Sequence, residues 1–110
     1  MDRQKLLGLY ARLLGLRSAL SGFPNSAVGK ATPADDLEVI VTKLEEAIGD
    51  DLSDFRPPPS CTYSTGSGAR NCYIDMVRTR LHQLVAYLEY AYHVNENIIE
   101  IGSIYNSIRD

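Results

Sequence analysis

Residues 77–105 read VRTRLHQLVAYLEYAYHVNENIIEIGSIY, and the apolar spacing within them decides how the fold is read. Val77, Leu81, Leu84, Leu88, Ala91, Asn95, Ile98, Gly102 and Tyr105 follow one another at alternating steps of four and three. That is the seam of a helix packing on other helices in coiled-coil style. Ile74 extends the seam backwards, and a helix over 70–108 would be roughly 58 Å long at about 1.5 Å per residue. A domain of this size has a radius of gyration of only about 13 Å. A straight helix of that length overhangs its own monomer and needs a partner or a bend. Its weakest stretch is 93–97, where two Asn and a β-branched Val lower helix propensity. Asn95 stands in the seam itself, a place where a polar residue fixes register and oligomer state.

Upstream, the seam Leu6, Leu9, Leu13, Leu16 and Leu20 predicts a helix over 2–21, with Leu7, Tyr10 and Leu14 widening its apolar arc. Its opposite face is small: Gly8, Ala11, Gly15, Ser18 and Ala19. Two glycines seven apart there point to close approach of another backbone. A second helix is expected over 33–48. Thr32 serves as its cap, Pro33 opens it, Asp35 and Asp36 favour the positive end of its dipole, and Gly49 terminates it. Leu37, Ile40, Leu44, Ala47 and Ile48 form its buried stripe. Between 56 and 68 the composition turns to Pro, Ser and Gly, which reads as a flexible linker opened by the polyproline run Pro57-Pro58-Pro59. No strand pattern of any length is visible. The expected fold is therefore all-α: a single three- to four-helix bundle over 1–110 with a long C-terminal helix, oligomeric, and with Leu13, Leu44, Leu84 and Leu88 at its core.

Nearly half of the 110 residues are hydrophobic, so disorder is not the default reading. With seven Tyr, two Phe and no Trp, the core must rest on Leu, Ile and Val. The net charge of −3 weighs against a dedicated nucleic-acid binder. Charge is segregated: residues 1–30 sum to +4, 31–55 to −7, 56–80 to +3 and 81–110 to −3. A basic segment beside an acidic one suits packing within the chain. Arg12 and Arg17 interrupt the only run resembling a signal h-region, and no apolar stretch is long enough to span a membrane. A cytoplasmic protein with no membrane association is expected, its two cysteines Cys61 and Cys72 present as free thiols.

Three constellations merit weighing. The interface expected for self-association is the C-terminal strip Ala91, Asn95, Ile98, Ile101, Tyr105 and Ile108. Arg70, Arg78 and Arg80, near Tyr63 and Tyr73, have the residue types to hold a nucleotide or single strand by charge and stacking. His82, Glu89, His93, Glu96 and Glu100 share one helical face and include metal-ligating types. That stripe lies opposite the apolar seam, and no other helix offers a matching Glu-x-x-His, so it reads as a solvated face with no metal or cofactor. Arg78 and His82 have the residue types of small HEPN-type ribonucleases but too short a gap. Gly29-Lys30 lacks the remaining glycine and the strand of a phosphate-binding loop. No catalytic constellation is present. The composite is that of a bacterial-type helical adaptor or small subunit that binds protein and itself. A nucleic-acid accessory protein using Arg70, Arg78 and Arg80 ranks second, and a metal-dependent helical enzyme third.

Overall fold

Helix α1 spans Arg3–Leu20, opened by Asp2, whose carboxylate accepts the Lys5 backbone N–H at 3.0 Å. The Asp2 N–H in turn donates to the Ala47 carbonyl at 2.9 Å, tying the start of α1 to the last turn of α2. The structure is a computed structural model that describes residues 1–95. Helix α2 spans Thr32–Ile48 and ends at Gly49, whose φ of 72° is the left-handed conformation that favours glycine. Ala31, one residue earlier than Thr32, occupies the cap position. Two single 3-10 turns, Ser53–Phe55 and Pro59–Cys61, carry the chain back across α2 and α3. Helix α3 spans Ile74–Tyr92.

The all-α expectation is overturned by a three-stranded antiparallel sheet. Strands β1 (Val28–Lys30), β2 (Thr62–Ser64) and β3 (Arg70–Tyr73) lie in the order β1-β3-β2. Val28 pairs with Tyr73 and Lys30 with Asn71 on one side of β3; Thr62 pairs with Cys72 and Ser64 with Arg70 on the other. The β2–β3 hairpin is closed by Thr65 N–H to Ala69 O at 2.8 Å, and by Gly68 N–H to Thr65 O at 2.9 Å with Gly68 at φ 84°. Ala31 N–H to Arg70 O and Ile74 N–H to Ala27 O, at 3.1 and 3.2 Å, extend the β1–β3 ladder at both ends. Residues 70–73 are therefore strand, where the periodicity placed the first turn of a helix. Half of the expected flexible linker is a strand and its hairpin turn. Strands of three or four residues are too short to display period-two alternation, and Val28, Thr62, Tyr63 and Tyr73 carry the only β-favouring signal.

The helix expected over 70–108, with its weak point at 93–97, starts later and is interrupted within that weak stretch. His93 adopts φ 53°, a left-handed conformation that ends α3, and Val94 and Asn95 are helical again beyond it. The break is held from both sides. The Tyr92 hydroxyl donates to Asp50 at 3.1 Å, and Val94 is fully buried. The half-buried, hydrogen-bonded Tyr92 and the buried Val94, one on each side of His93, offset the cost of a non-glycine left-handed conformation. At 19 residues α3 is about 28 Å long, so among the described residues no helix overhangs the body. None of the described helices is long and apolar enough to cross a membrane.

Helices α1 and α2 pack along their length and α3 lies across both. Leu13, Leu44, Leu84 and Leu88 are each 0% exposed, joined by Leu6, Leu37, Val41, Val77 and Leu81. Cys61 and Cys72 line the sheet side of the same cluster. The small face of α1 is open: Gly8 and Gly15 have no neighbour within 4 Å of where a Cβ would stand. Among the described residues no backbone makes the close approach that the glycines suggest.

Truncating Leu84 to Ala should lower the urea-unfolding free energy by about 2–5 kcal/mol, the range of buried leucines. A loss below about 0.5 kcal/mol, the level of a surface change, would place Leu84 outside the core.

Candidate interaction face

The sheet packs only one face on the helices. Along β3, Cys72 points inward and is buried, while Tyr73 points outward and is 43% exposed. On β1, Gly29 faces inward, where a Cβ would meet Ile74 Cδ1 at 3.7 Å, and Val28 faces outward at 51% exposure. Because Tyr63 pairs with Asn71, it stands diagonal to Tyr73, and their rings pack with centroids 5.1 Å apart at 36°. Val28 is directly opposite Tyr73. The outer face is thus an aromatic pair and a valine, with Asn71 and exposed Lys30 at one end. Exposed Asp75 follows two residues beyond Tyr73, in the first turn of α3, with its carboxylate 3.8 Å from Arg78. Tyr63 and Tyr73 were legible as aromatic residues near cations. Their pairing depends on a hairpin register that the sequence pattern does not show.

The arginines singled out from the sequence are separated, and each is engaged within the chain. Arg70 makes a two-pronged contact with Asp35 at 3.0 and 3.2 Å, both side chains about half exposed. Arg78 is only 13% exposed. It donates to the Leu20 and Phe23 carbonyls at 2.9 and 2.8 Å and to Asn25 Oδ1 at 3.1 Å, with Asp75 at 3.8 Å. It thereby satisfies carbonyls at the C-terminus of α1, where no left-handed residue closes the helix. Arg80 donates to the Asp54 carbonyl. Arg56, which the sequence pattern did not single out, bonds Glu38, Glu45 and Thr42 and clips the polyproline segment to α2.

Of the expected C-terminal interface, Ala91 is exposed and Asn95 half-buried; Ile98, Ile101, Tyr105 and Ile108 lie outside the described residues. Of the polar stripe, His82 is exposed, while Glu89 accepts the Tyr10 hydroxyl at 2.6 Å and so joins α3 to α1. Glu96 and Glu100 also lie outside the described residues. Among the described residues no three His, Cys, Asp or Glu side chains converge on one point.

A tyrosine network closes the opposite end of the bundle. Tyr87 and Tyr92 both donate to Asp50 Oδ2, and Phe55 packs on Tyr87 at 5.2 Å. The Tyr87 bond, with that from Tyr92, holds the Asp50 carboxyl below its ordinary value. The same bond, with burial, pushes Tyr87 up to about 12. Burial, then the bond to Glu89, pushes Tyr10 up to about 12.

No family model matches the chain, and no curated protein or solved structure shows significant similarity to it.

Two predictions follow from these contacts. Arg78→Ala leaves helix-terminal carbonyls without a charged donor and should destabilise by about 2 kcal/mol, whereas Arg70→Ala, an exposed pair, should cost under about 1 kcal/mol. Chemical denaturation of the two variants checks the order. The second concerns alkali. Below about pH 10 these tyrosines are neutral in both states. Between there and about 12 the unfolded chain releases protons that Tyr10 and Tyr87 retain, so stability should fall as pH rises through that interval. Tyr10→Phe and Tyr87→Phe should each flatten that fall, measured as melting temperature against pH.

Proposed function

We propose that the chain is a protein-interaction module that associates with a second copy of itself through the outer face of the sheet. The observation that carries this reading is the Tyr63–Tyr73 pair, Tyr73 exposed and Tyr63 half-buried, beside exposed Val28. Tyrosine is enriched where protein surfaces meet, because it contributes much buried area at little entropic cost. The face is suited to a two-fold partner. Lys30 marks one end of the strands and Asp75 stands just beyond the other, in the first turn of α3, so two faces packed with strands antiparallel bring each Lys30 toward the opposing Asp75. We assign the module to the cytoplasm, where the resting form of Cys61 and Cys72 is the dithiol.

A nucleic-acid role resting on Arg70, Arg78 and Arg80 has less support. Arg70 is paired with a carboxylate, and Arg78 and Arg80 donate to backbone carbonyls, so little of their charge is left for phosphate.

Light scattering at tens of micromolar should give a dimer for the full chain and a monomer for Tyr73→Glu, with unchanged circular dichroism. Lys30→Glu should weaken the dimer and Lys30→Glu with Asp75→Lys should restore it. A wild-type monomer across that range would sink the proposal, as would a dimer indifferent to Tyr73→Glu.

A further inference from the structure

Cys61 and Cys72 take no part in the tyrosine face or the arginine contacts. Cys61 immediately precedes β2, Cys72 lies in β3, and both are 0% exposed within one core cluster. Thr62 stands opposite Cys72, so Cys61 is one residue off the direct partner. Neighbouring strands lie about 4.8 Å apart. Cys61 leaves strand geometry at the end of the Pro59–Cys61 turn, so its buried thiol shares the core with Cys72, and the Cys72 thiol bears on its ionisation. Each thiol has its own acceptor. Cys61 Sγ–H points to the Tyr73 carbonyl at 3.8 Å and Cys72 Sγ–H to the Lys30 carbonyl at 3.4 Å. The Cys72 sulfur therefore leans toward β1 and must turn about χ1 to meet Cys61.

We propose that Cys61 and Cys72 are a reversible dithiol–disulfide pair that, once closed, staples the edge strand β2 to the central strand β3. The oxidant is a small disulfide of the glutathione class. Both thiols are enclosed, and burial raises both, so little thiolate exists in the closed fold. Access comes through local opening at the edge. Strand β2 has three residues and one paired side, and a single 3-10 turn leads into it.

Cys61, on the edge, attacks the oxidant first. Its thiolate breaks the oxidant's S–S bond, forming a mixed disulfide and releasing one thiolate of the oxidant. The Cys72 thiolate then attacks the Cys61 sulfur and expels the second. The two protons from the cysteines finish on the two released thiols, so the protein loses two hydrogens and the oxidant gains them. The ring closes the 61–72 hairpin, whose ends the native register already holds together. Native structure and disulfide should therefore favour each other.

The test uses the wild-type full chain, equilibrated with reduced and oxidised glutathione both natively and in concentrated guanidinium chloride. Thiols are then alkylated and the chain is weighed. The expected product is a monomer lighter by two hydrogens, joining tryptic peptides 44–70 and 71–78, and reopened by dithiothreitol. Closure should be about tenfold or more favoured in the native over the denatured chain. The melting temperature should rise by about 4 °C or more on closure. Closure no more favoured natively than in denaturant, a lowered melting temperature, a stable mixed disulfide on one cysteine, or a link between two chains would each overturn the assignment.

Discussion

The fold hangs on the backbone of four residues, 70–73. Strand β3 has both of its hydrogen-bonding edges filled, by β1 on one side and β2 on the other, and it passes into α3 without an intervening loop. Each buried backbone N–H and C=O must find a partner, and in β3 they find them on segments more than thirty residues apart in the chain. The ladder thus gathers the loop after α1, the segment after the polyproline run and the start of α3 at one point. It also sets where α3 begins, and hence which turn of α3 meets α1 and α2. Arg78, one turn into α3, lands beside the last carbonyls of α1 for this reason.

Burial ranks the arginine contacts. Arg78 is largely enclosed and bonds the Leu20 and Phe23 carbonyls and Asn25 at once, so its loss removes several charge-assisted bonds together. Arg56 is three-quarters covered and spans Glu38 and Glu45, one face of α2 two turns long. Arg70 and Asp35 are both about half in water, where screening and side-chain entropy leave a pair little net effect. The segment after Arg56, which its composition marks as flexible, is thus fixed at Arg56, turned by Pro59–Cys61 and paired from Thr62. A long connection in a small domain becomes ordered when it supplies a strand and a charged clip of its own.

What was legible in the sequence was whatever repeats over several turns. The leucine seams of α1 and α3, the stripe of α2 and its Gly49 terminator are patterns of a dozen residues or more, and each is present. The sheet was not legible, because β1 is held by a partner remote in sequence and all three strands are too short for an alternating pattern to repeat. The stretch 93–97 reads as the weak part of the C-terminal helix. That the break falls at His93 is decided by Asp50 gripping Tyr92 and by Val94 entering the core, and no local propensity contains those contacts. The arginine cluster was misread for a geometric reason. Residues two apart on a helix project about 200° from each other, so Arg78 and Arg80 reach opposite sides, toward Phe23 and Asp54.

The small face of α1 and the outer face of the sheet are both uncovered by the described residues, and they are not equivalent. The α1 face of Gly8, Ala11, Gly15, Ser18 and Ala19 is smooth but nearly without side chains, so a partner there gains little area per residue. The outer sheet face concentrates two rings and a branched aliphatic residue on three short strands. The shortness of those strands matters as well. An edge of three residues offers too few free backbone groups to recruit another strand, which guards against edge-to-edge growth. Association is thereby directed to the face, where side chains set the geometry. A sheet with helices on one side must leave its other side to water or to a partner. Here Tyr63, Tyr73 and Val28 share that side with Asn71 and Lys30, and this apolar group is what sets the face above α1.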